Sequence, residues 1–287
     1  MSLVIRPCRP QDADACARIL YAAFEGIANA HRFPPDFPNL EAVQHMVPAF
    51  MTSPGMAGFV AEVDGRIAGS NFITTTGPIR GVGPISVDPS QQGGGIGRAL
   101  MNAVLEHASG APGVRLLQDA FNTRSMALYT SLGFDIKEPV ALLDGRPRSA
   151  PLAGWTVRRF APEDMTACAE LSIAAHGFDR SGDLAMPAPF GDAWVAEEDG
   201  TIRAYATALR FWPMNHAVAS DEGAMRALVL GAAANHNDPL SFLVPTRDAS
   251  LFRWCLAEGL RIRKPMTLMT IGEYHDPATT WTPSVMF

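Results

Sequence analysis

Val87-Asp88-Pro89-Ser90-Gln91-Gln92-Gly93-Gly94-Gly95-Ile96-Gly97-Arg98-Ala99-Leu100 reads as the end of a strand, a glycine turn and the start of a helix. Without a Cβ, Gly93, Gly95 and Gly97 can take positive φ and let a ligand approach the main chain, so successive N–H groups converge on an anion. The helix that follows adds its positive end. The stretch therefore predicts a pyrophosphate cradle. It is neither of two common phosphate loops. No Lys-Ser or Lys-Thr follows the glycines, which excludes a Mg-nucleotide P-loop. A dinucleotide loop would place Gly-x-Gly-x-x-Gly after the first strand of a βαβ unit, whereas these glycines lie well inside the chain and follow Pro89.

The neighbouring segments supply the context. Gly83 to Asp88 forms a short β-branched strand that ends at the turn. Ile96, Leu100, Met101, Val104, Leu105 and Ala108 recur at helical spacing, so an amphipathic helix leaves the loop. A second strand, Val114 to Gln118, follows. Then Asn122 to Phe134 gives a polar helix start, an apolar face and a glycine stop at Gly133. Gln92-x-x-Gly95-x-Gly97, followed by an Asn-led helix ending Tyr129-x-x-x-Gly133-Phe134, resembles the GNAT acetyltransferases.

The chain also repeats itself. Ile5 to Ala17 aligns with Val157 to Ala169, each a strand, a Pro-Asp helix entry and a helix. Val60 to Ile67 aligns with Val195 to Ile202, each a hairpin around a tight Asp-Gly turn. Two copies of one fold are predicted, joined through the turn-rich stretch Asp144 to Pro151. We expect domains at residues 1–146 and 153–287. The trailing copy is not a second site of the same kind. At the position of the loop it has Ser220-Asp221-Glu222-Gly223-Ala224-Met225-Arg226-Ala227-Leu228, with one glycine and two carboxylates that would repel a phosphate. The counterpart of Tyr129 is Phe252 if the copies are aligned on Thr246-Arg247, or Cys255 if aligned on Gly259.

A length of 287 residues suits two domains, and 47% hydrophobic residues supply material for two cores. A net charge of −6 disfavours non-specific nucleic-acid binding, which depends on Lys and Arg. No apolar run reaches the roughly 18 residues of a membrane span. Arg6, Arg9 and Gln11 interrupt any signal-peptide core, so a cytoplasmic protein is expected. Cys8, Cys16, Cys168 and Cys255 lack ligand spacing and read as reduced thiols; no metal is expected.

The resemblance implies an α/β fold in two tandem copies, each a mixed, mostly antiparallel central sheet flanked by helices. It implies acetyl-CoA as co-substrate, acetyl transfer to a primary amine of a small molecule, amino acid or peptide, and direct attack in a ternary complex. By the same resemblance, backbone groups of Ile85, Ser86 and Val87 hold the pantetheine arm. Gln92, Gly93, Gly94, Gly95, Ile96, Gly97 and Arg98 hold the pyrophosphate. Asn122 and Ser125 are further cofactor contacts, and Tyr129 is the general acid. An ordinary phenol near pKa 10 and a thiol near 8.5 differ little, so a proton passes easily to the departing thiolate.

The acceptor side is less legible. An alkylamine near pKa 10.4 must lose its proton before it attacks, which calls for a base or a water chain. Asp119, at the end of the strand before the tyrosine helix, leads the candidates. Glu25, His31 and Asp36 are candidate acceptor contacts in the variable segment near the first helix. Residues Ala28 to Phe50, rich in Pro and Phe, read as an irregular substrate wall. Two fused copies are compatible with a monomer or a homodimer. The reading from a different class is an acyl-CoA sensor that binds without turnover.

Overall fold

Arg6 and Arg158 occupy the same place in two successive folds. Arg6 donates to Asp12 Oδ2 at 2.8 Å and Oδ1 at 3.0 Å, and its Nε donates to Glu62 Oε2 at 3.0 Å. Arg158 donates to both oxygens of Asp164 at 2.7 Å and also to Glu197. In each copy the aspartate also accepts the backbone N–H three residues before it, from Arg9 at 2.8 Å and from Ala161 at 2.7 Å. A bidentate guanidinium–carboxylate pair fixes distance and angle together. The matching triads are the physical counterpart of the sequence repeat.

The structure is a computed structural model and describes residues 2–185 and 192–286. The chain divides into two compact units, one of residues 1–135 with 270–273 and 286, the other holding the remainder. The division falls ahead of the turn-rich stretch 144–151.

In the leading unit, strands β1 (Leu3–Pro7), β2 (Met56–Val63), β3 (Arg66–Thr74), β4 (Ile79–Val87) and β5 (Gly113–Asp119) lie side by side in that order. The first three pairings are antiparallel and β4 with β5 is parallel. Helices α1 (Ala13–His31), α2 (Leu40–Thr52), α3 (Ile96–His107) and α4 (Thr123–Ser131) complete the unit. Side chains alternate across a strand, so neighbours on β2 serve opposite faces. Val60 packs with Cys16, Leu20, Val43 and Val47 of α1 and α2, whereas Ala61 packs with Ile96 and Leu100 of α3.

The segment from Ala28 to Phe50 is not irregular throughout, as its Pro content suggested. Only 32–39 lies outside helix. Asn39 caps α2 by accepting the Ala42 N–H at 2.9 Å, and Val43, Val47 and Phe50 bury one face strongly enough to tolerate Pro48 inside the helix.

The second unit repeats the scheme. Strands β7 (Trp155–Arg159), β8 (Trp194–Glu198), β9 (Thr201–Ala206), β10 (Ala217–Ala219) and β13 (Thr280–Thr282) form one sheet, while β6 (Asp135–Gly145), β11 (Leu240–Pro245) and β12 (Arg261–Gly272) lie side by side as β12-β6-β11. Helix α5 (Met165–His176) packs Cys168 and Ala175 on Val195 and Tyr205. Helix α6 (Glu222–Ala234) packs Met225 and Leu228 on Ala196 and Ala204. Helix α7 (Ala249–Ala257) follows β11 as α4 follows β5. The leading unit thus has the mixed, mostly antiparallel sheet with flanking helices that the sequence predicted, and in the second unit β7 with β8, β8 with β9, β9 with β10, β10 with β13 and β6 with β11 pair antiparallel.

Candidate active site

Pairing between β4 and β5 runs from Ile79 opposite Gly113 to Gly81 opposite Arg115, and stops there. Beyond that point the carboxyl-terminal half of β4 pairs on one side only, with Asn71, Ser70 and Gly69 of β3 opposite Ile85, Ser86 and Val87. The two parallel strands therefore leave a slot in which backbone groups of β4 face no neighbouring strand. Ile85, Ser86 and Val87, expected to hold an extended ligand arm, lie along it. The Ser86 hydroxyl is buried against Ser70 Oγ at 3.4 Å.

At the end of β4, Asp88 accepts from the backbone and hydroxyl of Ser90, which folds the chain into a short turn. Gly93 and Gly95 have φ of 89° and 87°, and apart from each glycine and its two chain neighbours nothing lies within 4 Å of where either Cβ would sit. Open space beside left-handed glycines is what a cradle for a pyrophosphate requires. Gly95 precedes α3 and offers no side chain to its first N–H groups, which leaves those donors facing the loop. Gly94 and Ile96 complete the turn. Gly97 departs from the expectation of positive φ. It lies inside α3, and its bare Cα lets α4 approach, with Leu128 Cδ2 3.4 Å from the Cβ position. Gln92 donates to Val87 O at 3.3 Å and accepts from Arg124 at 2.8 Å. The Arg98 guanidinium reaches Ser131 Oγ at 2.7 Å.

Helix α4 begins at Asn122, whose side chain accepts the Ser125 N–H at 3.2 Å. Tyr129 sits in its last turn, two residues from its end, and is 5% exposed, with its ring 6.1 Å from Phe134. Burial pushes its phenol up to about 12; the Ser125 hydroxyl lowers it and the charge of Asp119 raises it further. The phenol is thus not the unperturbed acid assumed from sequence. A thiolate in the same dry surroundings is also raised by desolvation, so the gap between acid and leaving group stays small.

Asp119 ends β5, and two residues on, Phe121 stacks against Phe33 at 4.2 Å and lies 5.1 Å from the His31 ring. The structure therefore brings His31 to the segment next to Asp119. The exposed His31 ring also lies 3.1 Å from Ile27 O. Glu25 accepts from Tyr21 on the same helix at 2.9 Å. Asp36 lies half-buried in the segment between α1 and α2. Among the described residues, no group of three or more His, Cys, Asp or Glu is arranged to hold a metal, and no helix is long and apolar enough to cross a membrane. All four cysteines are free, and Cys8 alone is not fully buried.

Two features escaped the sequence reading. Arg124 bonds to the loop, which only the packing of α4 reveals. Gln118 is buried at the splayed end of β5 with neither amide atom bonded; the strand pattern alone gave no sign of it.

The leading unit is thus an α/β fold whose five-stranded mixed sheet splays between its parallel strands, with a glycine cradle at the mouth of the splay. Residues 54–136, all but the last within the leading unit, match the family model described as an acetyltransferase (GNAT) domain. A mycothiol acetyltransferase from Thermomonospora curvata is 43% identical over 79 residues, 26% of this chain and 27% of that protein. The aligned part thus spans about a quarter of that relative's length. Two solved structures share the fold along nearly the whole chain. A GCN5-related N-acetyltransferase from Sphaerobacter thermophilus has a TM-score of 0.64 at 20% identity, covering 97% of this chain and 98% of its own. A tandem GNAT protein from the clavulanic acid biosynthesis pathway has a TM-score of 0.61 at 14% identity, covering 94% and 98%.

Proposed function

We propose that this chain transfers an acetyl group from acetyl-CoA to a primary amine by direct attack in a ternary complex. The observation that carries the reading is the slot itself: β4 and β5 part after Gly81 and Arg115, and an open cradle of left-handed glycines closes its mouth. When bound there, acetyl-CoA supplies an activated thioester. Backbone N–H groups from Gly93 to Arg98 face the pyrophosphate, and backbone groups of Ile85 to Val87 hold the arm.

Tyr129 holds its proton at the phenolic oxygen, ready for the departing sulfur. Asp119 takes the proton of the acceptor amine, directly or through water. Asn122 and Ser125 fix the start of α4 and thereby the phenol. His31, with Glu25 and Asp36 further along the same region, borders the acceptor side. We assign catalysis to residues 1–146 and a supporting role to 153–287, in a cytoplasmic monomer or homodimer. The names of the relatives add a mycothiol-type amine to the acceptors worth testing.

The test is release of free thiol from acetyl-CoA by the full chain across a panel of amines, amino acids, amino sugars and peptide amino termini. Amine-dependent release supports the reading. Saturable CoA binding without release across the panel would replace it with the acyl-CoA sensor.

A further inference from the structure

Gln118 is the penultimate residue of β5, at the end where β4 no longer pairs. It is 6% exposed, and neither Nε2 nor Oε1 has a hydrogen-bond partner. Burying a carboxamide with both its donor and its acceptor unmet destabilises a fold, so such a group calls for a reason.

The second copy shows that the fold does not need this amide. Asn122 and Asp248 cap α4 and α7 with nearly the same backbone, φ −82° and ψ 76° against φ −72° and ψ 71°. Each accepts the N–H three residues on at 3.2 Å. Aligned on these caps, Gln118 matches Val244, Asp119 matches Pro245 and Tyr129 matches Cys255. The open choice between Phe252 and Cys255 is thus decided for Cys255. Val244 and Cys255 are fully buried. The copy without a glycine cradle fills the three places with valine, proline and cysteine, and the copy with the cradle has glutamine, aspartate and tyrosine there.

We infer that the Gln118 carboxamide reads a secondary amide of the pantetheine arm in the β4–β5 slot. This rests on the acetyl-CoA reading above and deepens it. The chemistry selects the amide. Gln118 offers one donor group and one acceptor, and a secondary amide returns one of each. A thioester carbonyl and a phosphate oxygen only accept, and would leave Oε1 buried and unmet.

Calorimetric titration of the full chain with CoA and with adenosine 3′,5′-bisphosphate, which lacks the arm, tests this. Gln118→Val, the residue the second copy uses, is compared with wild type, and Gln118→Met is a second variant should valine pack poorly. CoA affinity is expected to fall about tenfold in the variants, as two hydrogen bonds are lost. Bisphosphate affinity should stay unchanged. The unliganded Val variant should melt no lower than wild type, because it removes an unmet polar group. Wild-type and variant proteins that bind CoA within twofold of each other would overturn the amide contact alone. A wild-type chain with no CoA affinity would overturn the reading beneath it.

Discussion

Arg124 donates to Gln92 Oε1 at 2.8 Å, joining the first turn of α4 to the loop that follows β4. Gln92 itself bonds back to Val87 O, so the side chain expected to touch a ligand also braces the loop. The guanidinium is exposed and keeps further N–H groups for an anion bound in the loop. Replacing Arg124 by Met should weaken CoA binding about tenfold at low salt, with a smaller difference at roughly 0.5 M salt, where exposed charges are screened. Titrations at the two ionic strengths check it; equal affinities at low salt would remove Arg124 from the site.

Tyr129→Phe should lower kcat by about a hundredfold or more while leaving CoA affinity near wild type, if the phenol acts as general acid. Because burial holds the phenol at about 12, it stays protonated across the working range. No alkaline fall in kcat assigned to this group should appear below about pH 11. A wild-type kcat falling near pH 9, with the fall lost in the Phe variant, would show an acid much stronger than the buried phenol described.

The three loop glycines should answer differently to alanine. Gly93→Ala and Gly95→Ala force a side chain to φ near 89° and 87°, costing about 1 kcal/mol each even though the space is open. Gly97→Ala lies inside a helix and meets Leu128 Cδ2 at 3.4 Å, an ordinary contact. There the gain in helix propensity, up to about 1 kcal/mol, should leave stability equal or raised. Chemical denaturation of the three variants distinguishes the positions.

Asp12 is held below the ordinary carboxylate range by the Arg6 guanidinium, with a further contribution from the Arg9 N–H. Its folded value thus lies under the unfolded value of about 3.9. The stability it contributes is present above that value and lost as pH falls through the folded one. Asp12→Asn should cost roughly 1–3 kcal/mol at neutral pH, and the difference from wild type should shrink below about pH 4. Asp164 is lowered in the same way by Arg158, so Asp164→Asn should behave alike. Melting curves at neutral and acid pH provide the measurement. A difference that persists unchanged at acid pH would show that the carboxylate charge is not what stabilises the entry to α1.

Much of the architecture was legible because its signals are local. The glycine run, the strand before it, the Asn-led helix and the paired Asp-Gly hairpins each declare themselves within a few residues. Helix α2 was obscured by Pro48, whose local cost is outweighed by burial of Val43, Val47 and Phe50. The role of Gly97 depends on where α4 lies, the acidity of Tyr129 on how deeply it is buried, and the isolation of Gln118 on where β4 stops pairing. None of these is a property of neighbouring residues in sequence. The acceptor side resisted for the same reason: His31 and Phe121 lie far apart along the chain and meet only in the fold.

The early end of the β4–β5 ladder gives this molecule a sheet edge in its interior. Unpaired strand edges ordinarily invite another chain to add to them, and proteins blunt them with charge, proline or cover. Here the vulnerable backbone is concealed rather than blunted, and whatever fills the gap doubles as its plug. A filled molecule should therefore aggregate more slowly on heating than an empty one, by more than its shift in melting temperature explains.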